Sequence, residues 1–263
     1  AMLQAGRNAG AITYAGYILG FPADTRESIL RDIEIIKREL PLDILEFFFL
    51  TPLPGSEDHK MLSAAGVWMD ADMNKYDLNH RVSHHGTMSD AEWEEAYRLA
   101  WETFYTPEHI ETILRRMCAN KLGRPSTTLT TILWFTLMIR YEGVHPLEGG
   151  ALRMKHRRDR RHGMPRENPL LFYPRYWLGT ARKAAGYYRI YAATKKTLKR
   201  ALAAEDRWTY SDLAIAPPRS DEFEALELYH ATAGGEDELG RMRRADAIRA
   251  EVKAHAGEAA AAE

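Results

Sequence analysis

Apolar and polar positions follow two rhythms in the first part of the chain. Ile12–Leu19 is a short run of apolar and aromatic residues bounded by small ones, and Ile44–Leu50 is a second, closed by Pro52, Pro54 and Gly55. Runs of this length and composition predict buried strands. Between them Ile29, Ile33, Ile36 and Leu40 recur at helical spacing, which predicts a helix with one buried face. Asp24 followed by Glu27 reads as its capping box, and Pro41 ends it. Strand, helix and strand in this order predict a βαβ unit with parallel strands and a right-handed crossover. The loops "GFPADT" and "TPLPGS" then leave the carboxyl ends of both strands on one edge, the edge at which parallel α/β folds bind ligands.

Beyond this unit the pattern turns helical. Ser56 predicts the cap of a short helix ending near Gly66, and Leu78–His84 is a candidate short strand inside a loop. Ser89 and Glu92 form a second capping box, ahead of a buried stripe at Trp93, Ala96, Tyr97, Ala100 and Phe104. Thr106-Pro107 starts another helix, with Ile110, Ile113, Leu114 and Met117 inward, and the two helices are expected to pair antiparallel. After Gly123-Arg124-Pro125 a third helix runs into "YEGVHPLEGG". "GTARKAAGYYRIYAATKKTLKRALAAE" predicts a basic amphipathic helix with Tyr187, Ile190, Tyr191 and Leu198 on one face. "RWTYSDLAIAPPRSDEF" reads as a linker closed by Pro217-Pro218, and the Ala-, Glu- and Arg-rich tail as a marginal helix with disordered final residues.

Composition narrows the class. A chain of 263 residues with 45% hydrophobic residues and a net charge of −1 has the make-up of an ordinary soluble protein of one or two domains. Its one cysteine, Cys118, excludes an intrachain disulfide framework and fits the reducing cytosol. No signal peptide is visible at the start, so the expected location is cytoplasmic. The longest apolar stretch, "TILWFTLMI" at Thr131–Ile139, is too short to span a bilayer and reads as a buried helix.

"GYILGFPADT" and, one helix later, "FFFLTPLPGS" resemble the fifth and sixth strands of radical S-adenosylmethionine enzymes, in particular the subgroup with a cobalamin-binding domain upstream. The resemblance implies a fold: the last strands of a partial (β/α) TIM-like barrel followed by a mainly α-helical C-terminal extension. It also implies that Gly16, Ile18 and Gly20, matching a Gly-x-Ile-x-Gly pattern, line the adenine of S-adenosylmethionine together with Phe21 and Pro22. Glycine lets a flat ring approach the strand, and isoleucine offers it an apolar face. Thr51, Pro52, Pro54 and Gly55 fall in the loop that borders substrate at the barrel mouth. The acidic residue that often follows the second glycine in the family is Ala23 here, with Asp24 one place later.

The family's CxxxCxxC loop, whose thiolates hold a four-iron four-sulfur cluster, is absent, and a single thiolate cannot hold one. The expectation is therefore the C-terminal portion of a longer enzyme, inactive by itself, whose partner is the missing N-terminal half. The parent's cofactors would be S-adenosylmethionine and the cluster, with cobalamin as a further candidate. A 5′-deoxyadenosyl radical would take a hydrogen atom from a small-molecule or lipid substrate, for methyl transfer or rearrangement. The expected divisions are 1–66 for the barrel part, 67–122 for a helical hairpin on it, 123–216 for a helical extension with a basic loop, and 217–263 for linker and tail.

Other chemistry is sparse. Arg153, Lys155, Arg157, Arg158, Arg160 and Arg161 form a basic cluster ahead of "NPLLFYPRYW". It suits a nucleic acid, an anionic lipid or an acidic substrate, or else is a solvated loop pairing with the protein's own acids. The near-neutral net charge argues against nucleic acid. The resemblance extends through this stretch without a role attached. A non-catalytic helical module binding an anionic partner through this cluster is thus the competing reading. His80, His84 and His85 lie close in sequence, but Gly86 and the cap at Ser89 argue against the helix that would align them as metal ligands. Cys118 follows Arg115 and Arg116, either as an activated thiol or as a buried one. No Walker loop, Gly-x-Ser-x-Gly elbow or His-Glu-x-x-His is present.

Overall fold

The computed structural model describes residues 2–152, 154–160, 163–216, 226–232, 234–237, 239–241 and 243–244. A short helix α1 (Met2–Asn8) leads into strand β1 (Tyr14–Leu19), helix α2 (Arg26–Glu39) and strand β2 (Ile44–Phe49). The strands pair in parallel, Tyr14 opposite Ile44 through Leu19 opposite Phe49, so the expected βαβ unit is formed. Helices α3 (Glu57–Ala64), α4 (Asp90–Phe104), α5 (Pro107–Ala119), α6 (Pro125–Leu137), α7 (Pro169–Ala203) and α8 (Leu228–Ala231) follow. The protein is thus α/β and mainly helical, with two parallel strands among the described residues.

One apolar cluster joins the sheet to the helices. Leu19, Ile29, Ile33, Phe47, Trp93, Phe104, Ile113 and Ile132 are all within it. Phe47 meets the edges of Trp101 and Phe104 at 5.2 and 6.2 Å, an arrangement aromatic rings prefer. The two helices expected to pair face different neighbours: α4 lies on α2 and β2, whereas α5 lies on α6 and α7.

The outer edge of β2 is closed without a third strand. The Tyr105 hydroxyl accepts from the Leu45 amide (3.1 Å) and donates to the Leu45 carbonyl (2.7 Å), and the Phe49 amide donates to the Leu78 carbonyl (2.9 Å). Tyr105 is buried, so Tyr105→Phe strands two backbone groups in the core. It is expected to cost about 2 kcal/mol in chemical denaturation. An unchanged midpoint would mean that water replaces the hydroxyl. The other edge of β1 pairs with no strand among the described residues.

Four local expectations change. Helix α2 is capped by Thr25 and Ser28, not by Asp24 and Glu27: Thr25 is extended and its side chain accepts from the Ser28 amide. Asp24 is unavailable because its carboxylate accepts from the Gly20 and Phe21 amides, both at 2.8 Å. Strand β1 starts at Tyr14 rather than Ile12, because the Thr13 amide and hydroxyl donate to the Asp43 carboxylate (2.8 and 2.9 Å). Leu78–His84 is not a strand. Leu78 has a φ of 65°, and only Ser83 makes a bridge, antiparallel to Met69. Helix α7 begins ten residues before Gly179, at Pro169, capped by Asn168. It runs through Pro174, whose missing donor falls in the second turn and breaks nothing buried.

Pro217-Pro218 and the final residues lie outside the described residues. Part of the presumed tail is docked nonetheless, since the buried Glu39 carboxylate accepts from the Leu228 (2.8 Å) and Glu227 (3.3 Å) amides at the start of α8. A buried acceptor at the end of α2 thereby holds a segment whose composition alone would leave it free.

Candidate functional site

The parity of a strand sends Ala15, Tyr17 and Leu19 to one face of the sheet and Tyr14, Gly16 and Ile18 to the other. The first set packs on the helices, and Leu19 is fully buried. The second set stands in register with Ile44, Glu46 and Phe48 and forms an open face on which Tyr14 is 50% and Ile18 46% exposed. Gly16 is also exposed, and a Cβ there would stand 2.9 Å from the Phe48 ring. The glycine therefore lets the protein's own Phe48 ring lie across the strand.

Both predicted loops sit at the carboxyl edge of this face. Phe21 and Pro22 are exposed in the turn after β1. Two braces hold that turn. The Asp24 carboxylate gathers the Gly20 and Phe21 amides from within. From outside, His85 Nε2 donates to the Phe21 carbonyl (2.9 Å), its Nδ1 accepts from the Thr87 and Met88 amides (both 3.1 Å), and Thr87 Oγ1 donates to the Asp24 carbonyl (2.7 Å). These bonds fix the His85 tautomer with its proton on Nε2. Gly20 is placed differently from Gly16: it is buried, with a φ of 104°, directly beneath Trp93. After β2, Thr51 Oγ1 donates to the Phe49 carbonyl (3.0 Å), Pro52 is buried, and Pro54 and Gly55 are exposed before Ser56, which caps α3 as predicted.

Two polar groups on this face were not singled out from the sequence as site residues. Glu46 is 2% exposed and its Oε1 has no hydrogen-bond partner. Burial raises its pKa, and the neighbouring Tyr14 hydroxyl only partly offsets this. The Tyr14 pKa is raised in turn, by burial and then by Glu46. His145, 2% exposed, stacks on Phe48 at 4.8 Å. Its Nδ1 accepts from the Leu147 amide (3.3 Å), while Nε2 is buried beside the Phe47 backbone without a well-formed hydrogen bond, and burial lowers its pKa. A buried acid and base flanking one apolar face, each with an unused polar atom, are suited to receive the polar end of a ligand whose body lies on the sheet. A sequence signal existed for Glu46, the one charge inside "ILEFFF", on the parity of Phe48.

The sign of the Glu46 shift sets a test. Its folded pKa lies above the unfolded value, so its contribution is fully present below about pH 4 and is lost as pH rises through the folded value. Glu46→Gln is expected to match the parent in acid and to melt higher at neutral pH. A lower melting point at pH 7 would instead assign the carboxylate a stabilising partner.

The remaining candidates are dispersed. His80 pairs with Asp77 (2.8 Å), while His84 pairs with Asp90 (2.9 Å) and stacks on Trp68. Among the described residues no group of three or more His, Cys, Asp or Glu is placed to hold a metal ion. Cys118 is buried, and burial raises its pKa. Arg115 and Arg116 turn away to Asp206 and Asp212 and do not activate the thiol. Arg153 and Arg161 of the basic cluster lie outside the described residues. Of the others, Arg160 pairs with Glu167 (2.5 Å), Arg157 donates to the Glu167 carbonyl (3.0 Å), and Lys155 and Arg158 are exposed. A cavity of about 540 Å³ opens between this loop and α7, lined by Lys155, His156, Arg160, Arg175 and Lys183 among others.

No protein-family model, no curated protein and no solved structure matches this chain. Among the described residues no helix is long and apolar enough to cross a membrane.

Proposed function

We propose that this chain is the C-terminal portion of a radical S-adenosylmethionine enzyme and that the open face of β1 and β2 is the adenine-side wall of its barrel. The observation that carries the proposal is the face left open at β1, with the exposed Gly16 and Ile18 in register with the buried Glu46 and the half-buried Phe48 of the parallel strand β2. The unpaired edge of β1 supports it as well. An unprotected edge calls for another strand, and the barrel reading assigns that strand to the parent's N-terminal half.

The residues fit the nucleoside end of the cofactor and not its metal end. Ile18 presents an exposed apolar surface on which one face of a purine can lie, beside the Phe48 ring that crosses Gly16. Tyr14 and Glu46 stand on the same face for hydrogen bonding. Gly20 contributes the turn and not a contact, since Trp93 covers it. The chain's one thiol, Cys118, is buried in α5 and offers no cluster ligand; no residue here is assigned to cobalamin. When bound, S-adenosylmethionine and its cluster supply hydrogen-atom abstraction, and methyl transfer or rearrangement is the reaction class proposed for the parent. This chain's part is to hold the adenine, to keep water off one side of it with Phe48 and His145, and to close the mouth with the Thr51–Gly55 loop.

The in-frame coding sequence upstream of Ala1 tests this directly. A CxxxCxxC loop there supports the assignment, whereas a stop codon followed by a start at Met2 overturns it. In the longer protein, Ile18→Asp is expected to weaken S-adenosylmethionine binding roughly tenfold by calorimetry.

A further inference from the structure

Helix α7 is unusual in charge and in what it leaves uncovered. From Pro169 to Ala203 it contains eight Lys or Arg and no Asp or Glu. Phe172, Gly186, Thr194, Thr197 and Ala201 are its buried residues, and it packs on α5 and α6. The opposite side of its N-terminal two thirds points to solvent. Leu170, Leu171, Trp177, Leu178 and Tyr188 are between 54% and 80% exposed there, and Leu170, Trp177, Ala181, Ala184 and Tyr188 follow one another along a single helical stripe. Arg175, Arg182 and Arg189, at seven-residue steps, run along one border of that stripe. Arg182 and Arg189 enter no ion pair among the described residues.

Leucine and tryptophan held in water are costly unless something covers them, and a contiguous apolar stripe of this kind marks a docking surface. The charge complementarity says what covers it. Arg182 and Arg189 on the border are free of acidic partners among the described residues, whereas Arg175 pairs with Glu167 and the cavity's Arg160 and Lys183 pair with Glu167 and Glu142. Aliphatic Leu170, Leu171 and Leu178 give nothing to phosphates or to base stacking, which disfavours a nucleic acid. They suit acyl chains. A helix with Leu and Trp on one side, arginines along the border and no stretch apolar enough to cross a bilayer is built to lie in the headgroup region. Arginine stems then cover apolar surface while their guanidinium groups reach phosphates.

We propose that the outward face of α7 is a peripheral docking surface for membranes rich in anionic phospholipid, with the helix parallel to the bilayer plane. The surface lies on different elements from the β1–β2 face and stands whether or not that face binds a nucleoside.

Co-sedimentation of the full chain with vesicles tests it, using phosphatidylcholine alone and phosphatidylcholine mixed with phosphatidylglycerol. The expected result is binding to the anionic vesicles alone, weakened by added salt. Arg182→Gln with Arg189→Gln should lower partitioning roughly 25-fold. Leu170→Ser with Trp177→Ser and Leu178→Ser should lower it at least as far while leaving the circular dichroism unchanged, because all three side chains are exposed. If that triple variant does not fold, quenching of tryptophan fluorescence by lipids brominated on their acyl chains replaces it, and most of the quenching should be lost in Trp177→Phe. Absence of vesicle binding overturns the proposal, as does binding that ignores the leucine and tryptophan changes and so is mere attraction of opposite charges. Retention on single-stranded RNA without vesicle binding overturns it in favour of a nucleic-acid surface.

Discussion

Replacing Asp43 by alanine is expected to destabilise the protein by about 4 kcal/mol, the usual cost of removing one partner of a buried ion pair. Arg7 and Asp43 are 1% and 0% exposed and meet at 2.8 Å. The carboxylate also accepts from the Thr13 amide and hydroxyl, and Arg7 donates to the Pro41 carbonyl (3.2 Å). Arg7 already has two side-chain nitrogens without partners, so nothing nearby can take over the freed charge. Because these bonds tie α1, the start of β1 and the start of β2 together, the loss should loosen the amino edge of the sheet. Asp43→Asn keeps one acceptor oxygen and the side-chain volume and should cost less. Urea denaturation measures both, and a cost for Asp43→Ala below about 1 kcal/mol would show that α1 is not held by this pair.

Gly20→Ala is expected to be nearly as damaging, for a different reason. The added Cβ would lie 2.3 Å from the Trp93 ring, and the backbone φ of 104° is one that side chains rarely adopt. Trp93 cannot step aside. It is 2% exposed, with its ring edge-on to Phe49 at 5.4 Å and beside His85 at 5.2 Å. Overpacking plus backbone strain comes to about 3 kcal/mol or more, read as a fall of roughly 10 °C in melting temperature. Adding Trp93→Phe should return part of the loss, so that the double variant is more stable than the two single costs predict. Strict additivity would place the penalty in the backbone alone. The β1 turn carries both the proposed ligand edge and the braces from Asp24 and His85, so Gly20→Ala should also disturb the open face that Gly16 and Ile18 form.

Much of the architecture was legible in the sequence. The two apolar runs and the helical spacing between them gave the parallel pair, and Ser56, Ser89 with Glu92, and Thr106 cap the helices predicted for them. These features are local: a cap, a turn or a periodic face is settled by residues within one or two turns of each other, and the side chains needed are adjacent in the chain. Gly16 and Ile18, two residues apart in β1, share one face for the same local reason.

Tertiary structure decided the rest, wherever one residue served two candidate partners or met a distant one. Asp24 and Thr25 could each have capped α2, and the choice went to Thr25 because the Gly20 and Phe21 amides had claimed the carboxylate. Gly20 answers to Trp93, Phe48 to His145, and Leu45 to Tyr105, all far along the chain. The burial of Glu46 and the outward turn of Leu170, Trp177 and Leu178 have the same origin. Periodicity names which residues share a face. Which face meets the core and which is left to a ligand or a membrane depends on the sum of contacts between distant segments, and that sum exists only once the chain has folded.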